Sequence, residues 1–161
     1  MATHLAFYKG KGGLSNLGVR TACSIKHRAK VQYSHIEILK SYPQDEPVLN
    51  SRGQLCVSAS KQDNHQVRAK WIDFKPTHWD FFTLFGQDNI FPKAAQVVGK
   101  PYDYVGMLLC LTPLARSKPD TWFCSQLVAH LLNYKDAESY DPHKLSTTLK
   151  SHGAYVGEVM P

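Results

Sequence analysis

The chain has 161 residues, 43% of them hydrophobic and 11% aromatic, and its 19 Lys and Arg outnumber 13 Asp and Glu for a net charge of +6. That length and apolar content predict a single domain over residues 1–161 with a core of its own, and they exclude a disordered tail. The basic balance suits an anionic partner, yet the cations are scattered, so no specific nucleic-acid partner is expected.

In chain order, THLAFYKGKGG reads as a short strand entering a Gly-rich turn. That turn matches neither phosphate-loop pattern, GxxxxGK[ST] or GxGxxG. LSNLGVRTACSIKHRA at 14–29 has the spacing of a short helix followed by loop. VQYSHIEILK at 31–40 is a strand by its β-branched and aromatic content. Alternation puts Val31, Tyr33, His35, Glu37 and Leu39 on one face and Ile36 and Ile38 on the other, and large apolar residues on both faces predict a central strand. After a polar loop around SYPQDEP, the segments QLCVSAS at 54–60 and QVRAKWIDF at 66–74 complete a three-strand meander, because the connections are short. HWDFFTLF at 78–85 adds a strand or a tight turn. FPKAAQVVGK at 91–100 is a helix entered by Pro92 and closed by Gly99, and YDYVGMLLCL at 102–111 is a second helical piece stopped by Pro113. A third helix begins near Thr121, with Asp120 or Thr121 as its N-cap. DPHKLSTTLKSH at 141–152 is a further short helix and AYVGEV at 154–159 a closing strand. Strands gather in the first half and helices in the second, which predicts an α+β fold.

The four cysteines, Cys23, Cys56, Cys110 and Cys124, form no CxxC pair and no zinc-site spacing, so neither metal nor other cofactor is expected. MATHLAFYKG lacks the basic-then-apolar layout of a signal peptide, and the expectation is free thiols in the cytoplasm. The longest apolar run, VGMLLCLTPLA at 105–115, is broken by Pro113 and falls far short of the roughly 20 residues of a membrane span. No membrane partner is expected.

Cys124, Leu127, Val128 and Leu131 follow i, i+3, i+4, i+7 and share the buried stripe of their helix, so the thiol can be plain core filling. Its place in the first turn, however, sets it beside free N–H groups and the positive end of the helix dipole, which stabilise a thiolate and can hold an oxyanion. Such a nucleophile needs a base, and the base an orienting partner. His4, His27, His65, His78, His143 and His152 lie near termini or in polar segments, and His130 is about 600° round the helix from Cys124. His35 alone sits mid-strand, where an unpaired imidazole is costly. Glu37 is two residues on and on the same face, within reach of the ring; Ser58 and Ser60 on the next strand compete with it.

GKPYDYVGML at 99–108 followed by TWFCSQLVAHLL at 121–132 resembles the nucleophile module of the NlpC-type papain-like cysteine peptidases, in which a Gly-x-Pro-Tyr turn precedes a helix opening on Asp-Cys-Ser-Gly. His35 in YSHIEIL lies upstream of Cys124, an order similar to the circularly permuted branch, which includes YiiX-like hydrolases, lecithin:retinol acyltransferase-like proteins and small phage-encoded proteins. The resemblance spans about residues 31–132. It implies a papain-like α+β domain with an antiparallel sheet packed on the Cys-bearing helix. It also implies a Cys124 nucleophile, a His35 base with Glu37, Ser58 or Ser60 as third residue, and Tyr102 lining the site. Phe123 stands where the family has Asp, and Gln126 where the permuted branch often has Glu; with Tyr102 and the two serines, Gln126 is a candidate substrate-binding residue. The implied activity is cleavage of an amide, peptide, isopeptide or thioester bond through an acyl-enzyme, with a cell-wall fragment as the first substrate by analogy. A phage-encoded form would act in the host cytoplasm or the virion. The competing expectations are a non-catalytic binding or structural protein on the same fold and a lipid acyltransferase.

Overall fold

The structure, a computed structural model, describes residues 2–10, 14–40 and 53–157. Its strands form where β-branched and aromatic residues concentrate: β1 (Ala2–Tyr8), β2 (His35–Leu39), β3 (Gln54–Ser60), β4 (Gln66–Ile72), β5 (Trp79–Phe85) and β6 (Tyr155–Gly157). They make one sheet in the order β4-β3-β2-β1-β5-β6, and every pairing is antiparallel. The helices are α1 (Leu14–His27), α2 (Ile90–Gln96), α3 (Tyr104–Leu109), α4 (Cys124–Leu131) and α5 (Pro142–Ser151). The fold is therefore mixed α+β, and the β2-β3-β4 meander forms. What local periodicity did not convey is β1 lying between β2 and β5, in register with β5 from Ala2↔Phe85 to Tyr8↔Trp79. HWDFFTLF is thus a strand rather than a turn, buried at every residue from Trp79 to Leu84.

Three boundaries move by three residues or more. The strand read from Val31 begins only at His35, after the Ser34 N–H donates to the Tyr8 carbonyl at 3.1 Å. Helix α2 stops at Gln96, ahead of Gly99, whose φ of 90° closes the turn that follows. Helix α4 starts at Cys124, with Phe123 as its N-cap rather than Asp120 or Thr121. The polar loop around SYPQDEP, residues 11–13 of the Gly-rich turn and residues 158–159 lie outside the described residues.

Alternation gives the sheet two different faces. Leu5, Phe7, Ile36, Ile38, Val57 and Phe82 meet Leu127 and Val128 of α4 and Leu145 and Leu149 of α5 in the main core, each such side chain contributing about 1.5–3 kcal/mol by leaving water. The opposite face carries a smaller cluster of Ala6, Leu39, Cys56, Trp79 and Phe81. Beyond it, α1 and α3 wall a cavity of about 800 Å³ whose floor includes Tyr8, His35, Glu37 and Trp79. Among the described residues no helix is long and apolar enough to cross a membrane.

Candidate active site

Helix α4 is positioned from its first residue by its own sequence. Gln126 Oε1 accepts the Phe123 N–H at 3.1 Å, closing the helix start from inside, while Leu127, Val128 and Ala129 anchor the helix in the core. The thiol of Cys124 is thereby the first helical side chain, 7% exposed and facing the cavity. The Gly-x-Pro-Tyr stretch is tied beside it. Trp122 N–H donates to Pro101 O at 3.0 Å and Asp103 N–H to Trp122 O at 3.0 Å, so the two halves of the motif run side by side. Asp103 then caps α3 by accepting the Gly106 N–H at 2.7 Å. Gly106 is required there, since a Cβ would run into that carboxylate. Tyr102 lines the cavity; burial and the nearby Cys124 raise its pKa.

His35 opens β2, so its ring stands at the margin of the sheet, where the first turn of α4 reaches it. Its Nε2 donates to Glu37 Oε1 at 2.7 Å, which leaves Nδ1 as the nitrogen available to a second partner, and Cys124 is close enough to act on the ring. Burial pulls the imidazole pKa down, but the charge of Glu37, its hydrogen bond and the nearby Cys124 outweigh it, and the pKa is pushed up to about 10. Glu37 is 1% exposed. Burial alone would push its carboxyl up, but hydrogen bonds from Arg68 and the charge of His35 hold it below its ordinary value.

Arg68 escaped the sequence reading. Its Nη1 and Nη2 donate to Glu37 Oε2 and Oε1 at 2.7 and 2.6 Å, and its Nε to Asp63 Oδ2 at 3.0 Å. Asp63 in turn takes Lys70 Nζ at 3.0 Å. A bidentate Arg–carboxylate fork fixes both position and charge of the acid. The signal was present in the meander: β2 and β3 pair Ile38 with Val57 and β3 and β4 pair Ser58 with Arg68, so counting register outward from the β3–β4 turn places the guanidinium two strands from Glu37, in the same row.

The remaining candidates are set elsewhere. Ser58 Oγ donates to the main-chain carbonyl of Ile36 at 2.5 Å. Ser60 lines the cavity, but its Oγ accepts the N–H groups of Gln62 and Asp63 at 3.2 and 3.3 Å and shapes the β3–β4 turn. Glu37, not either serine, holds the ring. Gln126 is 3% exposed and engaged in its capping bond, which corrects its reading as a substrate contact. All four cysteines are free thiols.

No protein-family model, curated protein or solved structure gives a significant match to this chain.

Proposed function

We propose that the chain is a cysteine hydrolase of the permuted NlpC-type, papain-like kind, which cleaves an amide or thioester through an acyl-enzyme on Cys124. The observation that carries the reading is the gathering of Cys124, His35 and Glu37 on one cavity, with the nucleophile at a helix start and the base held by a buried, ionised carboxylate. With its pKa raised to about 10, His35 already carries the proton at neutral pH, and the Cys124 thiolate beside this imidazolium attacks the substrate carbonyl carbon, forming the S–C bond and placing negative charge on oxygen. The N–H groups of the first turn of α4 have no preceding turn to bond and can take that charge. As the C–N or C–S bond breaks, His35 returns the proton to the leaving amine or thiol. It then takes a proton from water, which attacks the acyl-enzyme and releases a carboxylic acid.

A second reading keeps the same chemistry with a different acyl group. Val19, Ala22, Met107 and Leu111 make one cavity wall apolar, which favours a hydrocarbon tail over a polar wall peptide and acyl transfer to an acceptor other than water. Peptidoglycan peptides, isopeptides and acyl thioesters of increasing chain length, assayed side by side with Cys124→Ala as blank, separate the two. Turnover confined to wall peptides supports the first reading and a rate rising with chain length the second. No turnover on any member, with Cys124 no more reactive to iodoacetamide than in His35→Ala, would leave a binding module.

A further inference from the structure

We infer that the mouth of the cavity is a docking surface for an anionic lipid bilayer, formed by α1 and α3. Nine large apolar side chains are exposed among the described residues, and six of them lie on these two helices or just beyond α3: Leu17 and Ile25 on the first, Tyr104, Val105 and Leu108 on the second, and Leu114 in the loop that follows. Leu17, Ile25, Val105, Leu108 and Leu114 are each 59–75% exposed, an aliphatic concentration that a monomer's surface seldom carries without use.

Charge identifies the occupant. Segments 14–34 and 104–119 contain no Asp or Glu, although the chain has 13, and besides Lys26, which is paired with Asp141, they hold Arg20, Arg28, Lys30, Arg116 and Lys118. The two segments are joined directly, Lys26 Nζ donating to the Cys110 carbonyl at 2.6 Å. Both wall the cavity, through Val19 and Ala22 from one side and Met107, Leu108 and Leu111 from the other. The exposed Trp71 lines the same cavity from β4. Of the acids that line the cavity, Glu37, Asp63 and Asp73 belong to the sheet side, and Asp141 is fully buried against Lys26 and His27. Protruding aliphatic side chains in a field of cations fit acyl chains beneath anionic headgroups. Nucleic acid offers the aliphatic groups nothing to enter, and a second copy of the chain would bring like charge against like. The expectation of no membrane partner rested on the missing span, and peripheral docking requires none.

The inference uses the proposed function only in taking the cavity as the active site, so the test uses the Cys124→Ala chain, in which chemistry is absent. Co-sedimentation with vesicles of mixed phosphatidylglycerol and phosphatidylcholine should retain the protein, and vesicles of phosphatidylcholine alone should not. Leu17→Ser with Ile25→Ser and Val105→Ser, and separately Lys30→Glu with Arg116→Glu and Lys118→Glu, should each lower the bound fraction about tenfold or more with thermal melting unchanged. Failure to bind anionic vesicles overturns the inference. So does binding that neither set reduces, or a dimer in sedimentation velocity that the serine set dissociates. Turnover by the wild-type chain with no vesicle binding would remove the docking surface and leave the proposed function standing.

Discussion

Two buried carboxylates line the cavity, and each is bonded to a histidine and to a cation. Glu37 takes His35 and Arg68; Asp141 takes His27 Nε2 and Lys26 Nζ, each at 2.8 Å. The difference lies in what else each acid holds. Asp141 Oδ1 accepts the N–H groups of His143 and Lys144 and caps α5, so it is a latch between α1 and α5. The neighbouring thiols Cys23 and Cys110 have their pKa values raised, by burial first and then by the charge of Asp141, that of Cys110 to about 12. They stay protonated. At Glu37 the imidazole stands between acid and sulfur, and the sulfur is the first side chain of a helix. The same three residue types thus make a fastener in one place and a candidate proton relay in the other.

The comparison breaks first on stability. Arg68→Met leaves Glu37 buried with one partner, and urea unfolding should show a loss of about 3–5 kcal/mol. Lys26→Met leaves Asp141 with His27 and two backbone donors, and should cost about 1–2 kcal/mol. Equal losses would mean that the two clusters are the same kind of structure. Reactivity is the next division. Glu37→Gln removes the group that orients the base, and alkylation of Cys124 by iodoacetamide, followed by mass spectrometry, should slow about tenfold to a hundredfold. Asp141→Asn should leave that rate within about twofold, with Cys23 and Cys110 slow in both variants. A comparable slowing by Asp141→Asn would show that Cys124 answers to the whole cavity rather than to His35.

One cluster was legible in the sequence and the other was not. Cys124 is marked by helical spacing, and His35 and Glu37 by alternation within one strand; each signal is contained in about ten residues. Asp141 and His27 are 114 residues apart, so His27 reads as a surface histidine until the fold brings them together. Arg68 depends on register across two strand pairs. The insertion of β1 beside β5 depends on which long apolar strands find each other, and their periodicity is compatible with several orders. The start of α4 at Cys124 turned on Gln126 folding back onto Phe123. The spacing pattern did not specify that bond, and it moved the thiol from within the first turn to its first residue.

The finest division between the clusters is in pH. Both acids have lowered pKa values, so each contributes stability that is present above its ordinary titration range and lost as pH falls toward the folded value. Acid therefore weakens both. The His35 side has an alkaline counterpart: its pKa is raised from 6.5 to about 10, so that its contribution is complete below pH 6.5 and declines as pH rises through about 10. Between pH 6.5 and 9 most of it is lost. Chemical unfolding of wild type and His35→Gln across that range should show a gap that narrows with rising pH, while the gap between wild type and Asp141→Asn stays level. A gap constant for His35→Gln would mean that the ring is neutral in the folded chain. Glu37 would then be holding it for shape alone, as Asp141 holds α1.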